Sequence, residues 1–259
     1  MLTFLTEAVP PRAVAIEIAP GIRRMVADNP TRMTCHGTNT YLLDTPDGTL
    51  VVDPGPDLPA HVAAIRREAG RIAGIIATHS HHDHVSAVPG LRAGLDVPVY
   101  AFGDRLAADI SLSESEQVYG WRVLHTPGHM VDHVCLLRDD GVVLTGDHVM
   151  GWSSSVVLPP DGDMIDYMNS LERLIAEPAN VYLPGHGPAI PEPHGYAREL
   201  LAHRQSREAE VLACLADGAT DLPAMVARIY PDLPPAMLPM AARNIESHLI
   251  KLRKEGRAS

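Results

Sequence analysis

Six consecutive residues, His79-Ser80-His81-His82-Asp83-His84, offer four imidazoles and one carboxylate. The apolar run Ile72-Ala73-Gly74-Ile75-Ile76-Ala77 leads into them and reads as a short buried strand, so the cluster sits where a strand opens into a loop. Along an extended segment residues i and i+2 point the same way, which lets His79 and His81 bind one ion together. Asp83 and His84 follow as the chain begins to turn and can face a second ion beside the first. Neutral imidazole plus carboxylate is the donor set zinc favours, and an incomplete shell leaves room for a reactive water. For the cluster alone, the alternative is a solvated, histidine-rich loop.

The elements that must hold this cluster are readable on both sides of it. Upstream, Val14 to Ile18 reads as an edge strand within a loop region over 1–35, and Gly37 to Leu43 and Thr49 to Asp53 read as a β-hairpin around Pro46-Asp47-Gly48. Asp53 closes this hairpin before Pro54-Gly55; it either hydrogen-bonds a ligating imidazole or simply forms the turn. Leu58 to Ala69 carries Leu58, Val62, Ile65 and Ala69 at helical spacing and leads into the histidine-bearing strand. Downstream, a short helix is expected over 85–91, a strand at 97–101, and a mobile polar connection with some helix over 103–116. Strands follow near 121–125, 133–137 and 142–146, then a helix near 163–176 and a strand at 180–183. From Tyr196 the pattern becomes helical: 196–216, 222–229 and about 238–255, separated by Asp217-Gly218 and the proline-rich 231–235. These three helices and their basic end look like a small winged-helix unit, so the expected domains are 1–195 and 196–259.

The pattern His79-x-His81-x-Asp83-His84 resembles the signature of the metallo-β-lactamase superfamily. The resemblance implies a third histidine for the first metal at His129 (Thr126-Pro127-Gly128-His129), a bridging Asp147 (Leu144-Thr145-Gly146-Asp147) and a last ligand His186 (Leu183-Pro184-Gly185-His186). It thus assigns His79, His81 and His129 to one metal, Asp83, His84 and His186 to the other, and Asp147 to both. Each downstream ligand also follows an apolar run and a glycine, so four strands would end on one rim and deliver ligands through tight turns. The fold implied is α/β, a four-layer αβ/βα sandwich. Gly37-Thr38-Asn39-Thr40-Tyr41-Leu42, Val52-Asp53-Pro54-Gly55, Gly151-Trp152-Ser153, Pro160-Asp161-Gly162-Asp163 and His203-Arg204-x-x-Arg207-Glu208 are similar to the lactamase-β-like type 2 group. Members of that group join such a domain to a winged-helix tail, and the animal mitochondrial member is a single-strand endoribonuclease. In relatives an amide near the metals often helps hold substrate, which makes Asn39 a candidate; its alternative is to hydrogen-bond the local turn. His82 should point away. His125, His133 and His148 lie beside ligands and are expected to be structural, and Trp152 with Ser153-Ser154-Ser155 can floor the site.

Composition narrows the setting. The chain has 259 residues, 46% of them hydrophobic, and a mean hydropathy near zero, as in a globular enzyme. Cys35, Cys135 and Cys214 lie far apart and read as core or free thiols in a reducing compartment. The start, Met1 to Glu7, has no basic region and is followed by Pro10-Pro11, so no secretory signal is expected; nor is a transmembrane helix, and the cytoplasm is the expected location. The net charge of −11 is uneven: residues 203–259 hold eight basic and seven acidic side chains, and the remainder thirteen and twenty-five. An acidic main domain argues against indiscriminate nucleic-acid binding.

Two metals about 3.5–4 Å apart can share a hydroxide, with Asp83 accepting its hydrogen bond or passing a proton to the leaving group. The expected function is therefore a zinc-dependent hydrolase (two Zn²⁺ per chain, replaceable by iron or manganese) acting on a small ester, thioester, lactone or amide. A single-strand RNA endonuclease is the alternative, with Arg243, Lys251, Arg253, Lys254 and Arg257 as the phosphate contacts of the tail. A glyoxalase II-like thioesterase would need a basic glutathione-binding tail, for which no equivalent is seen. A regulator reading DNA would have no use for all seven ligands. The tail can instead be a packing or homodimerisation unit, given the regular spacing of Leu249 and Leu252.

Overall fold

The computed structural model describes residues 3–219 and 221–258. Its order is β1 (Ile16–Ala19), β2 (Ile22–Val26), β3 (Asn39–Thr45), β4 (Gly48–Val52), α1 (Pro59–Ala69), β5 (Ile72–Ile76), α2 (His82–Val85), α3 (Val88–Arg92), β6 (Val99–Phe102), β7 (Ile110–Leu112), β8 (Gln117–Val118), β9 (Trp121–His125), β10 (Val134–Arg138), β11 (Val142–Gly146), α4 (Met164–Ala176), β12 (Val181–Pro184), α5 (Pro193–Ala216), α6 (Leu222–Ile229), a 3-10 turn (Pro235–Met237) and α7 (Leu238–Lys254). Strands β1 to β7 form one sheet in sequence order, antiparallel as far as β4 and parallel beyond it. The second sheet has the order β12-β11-β10-β9-β8, with only β11 and β12 parallel.

The period-two alternation of side chains builds the layers. Tyr41 and Leu43 of β3, Leu50 and Val52 of β4, Trp121 and Val123 of β9, and Val134 and Leu136 of β10 all face the core between the sheets. Their neighbours Leu42 and Val51 face α1 and α3 on one outside, and Leu124, Cys135 and Leu137 face α4 and α5 on the other. Four layers result, helix-sheet-sheet-helix, as expected. Asp163 starts α4 by accepting from the backbone N–H of Ile165 (2.7 Å) and Asp166 (3.2 Å).

Several elements differ from expectation. Ile22–Val26 is a full strand within the region expected as edge strand and loop; its arginines are absorbed by Arg24–Glu7 (2.7 Å) and Arg23–Asp44 (2.9 Å) ion pairs. The segment 103–116 contains the edge strand β7 and no helix. In the tail, α5, α6 and α7 close their own apolar core around Val211, Met225, Ile245 and Leu252. At 24 residues α5 is about 36 Å long. Its first half (Tyr196, Ala197, Leu200) packs under the second sheet and its second half (Val211, Cys214) belongs to the tail core. The division expected at 195/196 therefore falls inside a continuous helix shared by both units. No strand follows β12 among the described residues, and none of their helices is long and apolar enough to cross a membrane. Cys135 and Cys214 are core residues, and no cysteine lies in the histidine cluster.

Candidate metal centre

Four strand ends converge on one rim. His79 follows β5, His81 precedes α2, and Asp83 and His84 ride on the first turn of that short helix. His129, Asp147 and His186 follow β9, β11 and β12. The turns leave no room for side chains where they carry ligands. Gly128 has φ +133°, and a Cβ there would collide with the Tyr167 backbone. At Gly185 a Cβ would sit 2.5 Å from Asp147 Oδ1 and 2.8 Å from His84 Cε1, inside the cluster itself.

The seven expected ligands fall into two groups. Donor atoms of His79, His81, His129 and Asp147 lie within 4.8 Å of one another, as do those of Asp83, His84 and His186. His81 Nδ1 is 2.9 Å from His79 Nε2 and 3.0 Å from His129 Nε2, while His84 Nε2 and His186 Nε2 are 3.3 Å apart. Asp147 lies between the groups: Oδ1 is 3.5 Å from His84 Nε2, and Oδ2 is 3.4 Å from His186 Nε2 and 3.7 Å from His129 Nε2.

Surrounding hydrogen bonds set which ring nitrogen faces inwards. Thr78 donates its backbone N–H and its hydroxyl to Asp53 (both 2.7 Å), so its oxygen is left to accept from His79 Nδ1 at 3.0 Å. Asp53 also accepts from His84 Nδ1 (2.8 Å), Val156 O from His129 Nδ1 (2.6 Å) and Gly37 O from His186 Nδ1 (3.2 Å). Four imidazoles thereby turn Nε2 to the centre, and His81 turns Nδ1. Asp147 adds a buried Oδ1 with no hydrogen-bond partner. Convergent imidazole nitrogens and an orphaned carboxylate oxygen, four of the rings anchored from behind, fit divalent cations that would displace any protons held there.

Electrostatics divide the cluster. Burial holds His129 down to about 4, only partly offset by the Asp147 carboxylate, and holds His79 and His81 low as well. Burial also opposes charge on His186, but the carboxylates of Asp147 and Asp83 override it and raise this histidine to about 9. His84 is likewise raised by Asp147 and Asp53 against the effect of burial. The first three rings therefore favour the neutral form that ligates, whereas His84 and His186 favour the protonated form, whose protons a cation must displace. Loading with zinc at pH 7 should thus release about one to two protons, and affinity should rise with pH until His186 titrates. Calorimetry in buffers of differing ionisation enthalpy measures this; zero proton release would contradict the assignment.

Asp53 satisfies both of its expected readings: it forms the turn with φ +50° and holds His84 and Thr78. Of the two readings of Asn39, the geometry fits the hydrogen-bonding one, though to a turn distant in sequence. Asn39 is 1% exposed, it does not line the cavity over the cluster, and its amide donates to the carbonyls of Pro184 (2.8 Å) and Gly187 (2.9 Å), bracing the turn that carries His186. His82 points away and is exposed. His133 accepts from the Asp147 backbone N–H at 3.1 Å and so positions that ligand, while His125 stacks on Phe102.

A cavity of about 420 Å³ opens over the cluster, with His81, Asp83, His129, Asp147 and His186 at its base. Trp152 and Ser153 to Ser155 line it as expected. Unforeseen are Arg32 and Met33 from the loop before β3, and Met237, Met240 and Asn244 from the tail. The tail also braces the segment 155–157. Arg204 donates to Ser155 O and Ser247 donates to Val157 O (2.6 Å), on either side of the carbonyl that orients His129.

Residues 33–110 and 108–186 match the family described as the metallo-beta-lactamase superfamily. The chain belongs to that superfamily. Residues 222–259 match the beta-lactamase associated winged helix domain, which the superfamily domain here carries as its tail. Among similar proteins is the Beta-lactamase-like protein 2 homolog of Drosophila melanogaster, 33% identical over 93% of this chain and 90% of that one. The Atrochrysone carboxyl ACP thioesterase of Aspergillus chevalieri is 34% identical over 80% of this chain and 70% of its own length. A beta-lactamase domain protein from Burkholderia ambifaria shares the fold with a TM-score of 0.84, at 22% identity over 96% of this chain and 91% of that one.

Proposed function

We propose that this superfamily hydrolase holds two zinc ions and cleaves a small-molecule ester, thioester, lactone or amide. The observation that carries the reading is the convergence of seven inward-facing donors, Asp147 between their two groups, at the base of a largely apolar cavity. His79, His81 and His129 would hold one ion, Asp83, His84 and His186 the other, and Asp147 both. When bound, such a pair supplies the Lewis acidity that brings water near neutrality and polarises a carbonyl. The chain's own groups do the rest. Asp53, Val156 O, Gly37 O and Thr78 keep the imidazoles aimed inwards. Asp83 lines the cavity; burial opposes its ionisation, yet His186 and His84 hold it down to about 2, so without metal it stands as an anion. With cations in place of the protons on those two histidines, the role proposed for it is to accept a hydrogen bond from water and pass a proton to a leaving group.

The RNA reading has less support. Lys251 pairs with Glu208 (2.6 Å) and Glu255 (2.8 Å), Lys254 with Asp163 (2.5 Å), and Arg257 with Glu208 (2.6 Å), which neutralises much of the expected phosphate track. The test is to saturate the protein with zinc, count the metal, and assay thioester, ester, lactone and single-stranded RNA substrates side by side. About two ions per chain and turnover of an acyl compound are expected. One ion at saturation, or RNA cleavage without acyl turnover, overturns the proposal.

A further inference from the structure

Part of the lining of the cavity over the histidine–aspartate cluster comes from the tail. Met237 ends the 3-10 turn and Met240 lies in the first turn of α7, so both arrive from a part of the chain that supplies no ligand. They share the lining of the cavity with Met150, Val156 and Leu158, which follow Asp147 in the chain. Met237 remains 40% exposed and Met33, also in the lining, 48% exposed, so this apolar lining is left uncovered by the protein itself. Unbranched thioether side chains adapt to apolar groups of different shape, which suits a chain or ring better than a sugar or a nucleotide. Arg32 also lines the cavity, is exposed and makes no ion pair or hydrogen bond among the described residues, although the domain around it is strongly acidic. A volume of about 420 Å³ is within the range of small-molecule sites, roughly 300–1,000 Å³.

We infer that the substrate is a thioester or ester of a medium-length apolar acid whose leaving group is anionic. Met237 and Met240 of the tail hold the acyl portion, and Arg32 holds the anion. The inference rests on the hydrolase reading and adds to it what the tail does: it sets acyl selectivity from outside the metal-binding domain. Hydrolysis itself consumes water, breaks the acyl–sulfur or acyl–oxygen bond, and leaves a carboxylate and a thiol or alcohol.

The experiment is a series of acetyl, butyryl, hexanoyl and octanoyl thioesters, each made with neutral mercaptoethanol and with anionic mercaptopropionate, assayed on the zinc-loaded full chain. In the wild type kcat/KM should rise about fourfold per methylene until the cavity is filled, the value of burying one CH₂. Met237→Ser with Met240→Ser should lower the octanoyl-to-acetyl ratio at least tenfold. Arg32→Ala should lower the preference for the mercaptopropionate thioesters over the neutral ones. In parallel, calorimetry compares octanoate with acetate as ligands, a readout that needs no turnover. A flat chain-length profile with acetyl thioester still cleaved overturns the inference and leaves the hydrolase reading standing. Tight octanoate binding that the serine pair weakens, with no thioester cleaved, supports the acyl site and sinks the acyl-transfer chemistry. Equal binding of octanoate and acetate overturns the acyl site outright.

Discussion

Asp83→Asn should lower kcat by about 10²–10⁴-fold, the scale of lost acid–base assistance. The amide keeps the size of the side chain but carries no charge and takes no proton. Asp83 is the carboxylate of the cluster most open to the cavity: its side chain is 32% exposed against 9% for Asp147, and its Oδ2 lies 3.2 Å from His186 Nε2. It is also an expected ligand, so the experiment must separate proton transfer from metal loss. Metal content and kcat are therefore measured together at saturating zinc. Reduced turnover at two ions per chain identifies the proton role, and turnover restored by excess zinc identifies a ligand role alone. Wild-type kcat at full occupancy would remove Asp83 from the chemistry.

The second large effect lies away from the histidine–aspartate cluster. Glu208 of α5 sits where the tail meets the main domain, its side chain only 9% exposed. It pairs with Lys251 (2.6 Å) and Arg257 (2.6 Å), with His248 Nδ1 at 4.0 Å and the fully buried Arg204 on the same helix. Glu208→Ala strands Lys251, itself 8% exposed, beside other buried cationic or basic groups. Breaking a buried pair from one side costs about 3–5 kcal/mol. Glu255, 2.8 Å from Lys251, moderates the loss towards the lower figure. In a chain of this size that is a fall in Tm of roughly 6–12 °C. Because Met237, Met240 and Ser247 belong to the same tail, octanoyl turnover should fall as well, while zinc stoichiometry holds. Thermal melts and metal analysis on one preparation check this. An unchanged Tm would show that Glu208 contributes little to the joint between tail and main domain. The paired change Glu208→Leu with Lys251→Met should recover much of the stability, since an apolar pair of similar volume carries no desolvation cost.

What the sequence determined by itself follows from how local its physics is. The ligand cluster is legible because metal chemistry accepts few residue types, and His79, His81, Asp83 and His84 lie within one turn and a half of chain. The central strands are legible because two apolar faces force a strict alternation, as in Val134 to Leu137. Strand β2 escaped because Arg23 and Arg24 interrupt its apolar pattern, and their charges are met by Asp44 and Glu7, far off in sequence. Asn39 stayed open between two readings for the same reason: what an amide faces depends on Pro184 and Gly187, which reach it only in the folded state. Lys251 is legible as basic but not as buried, because its partner Glu208 lies on another helix. Most of all, only tertiary structure could put Met237 and Met240 over the metal cluster. Nothing periodic marks two methionines, one ending a 3-10 turn and one opening α7 beside a run of prolines, and their place is decided by how α5 carries the tail back across the rim.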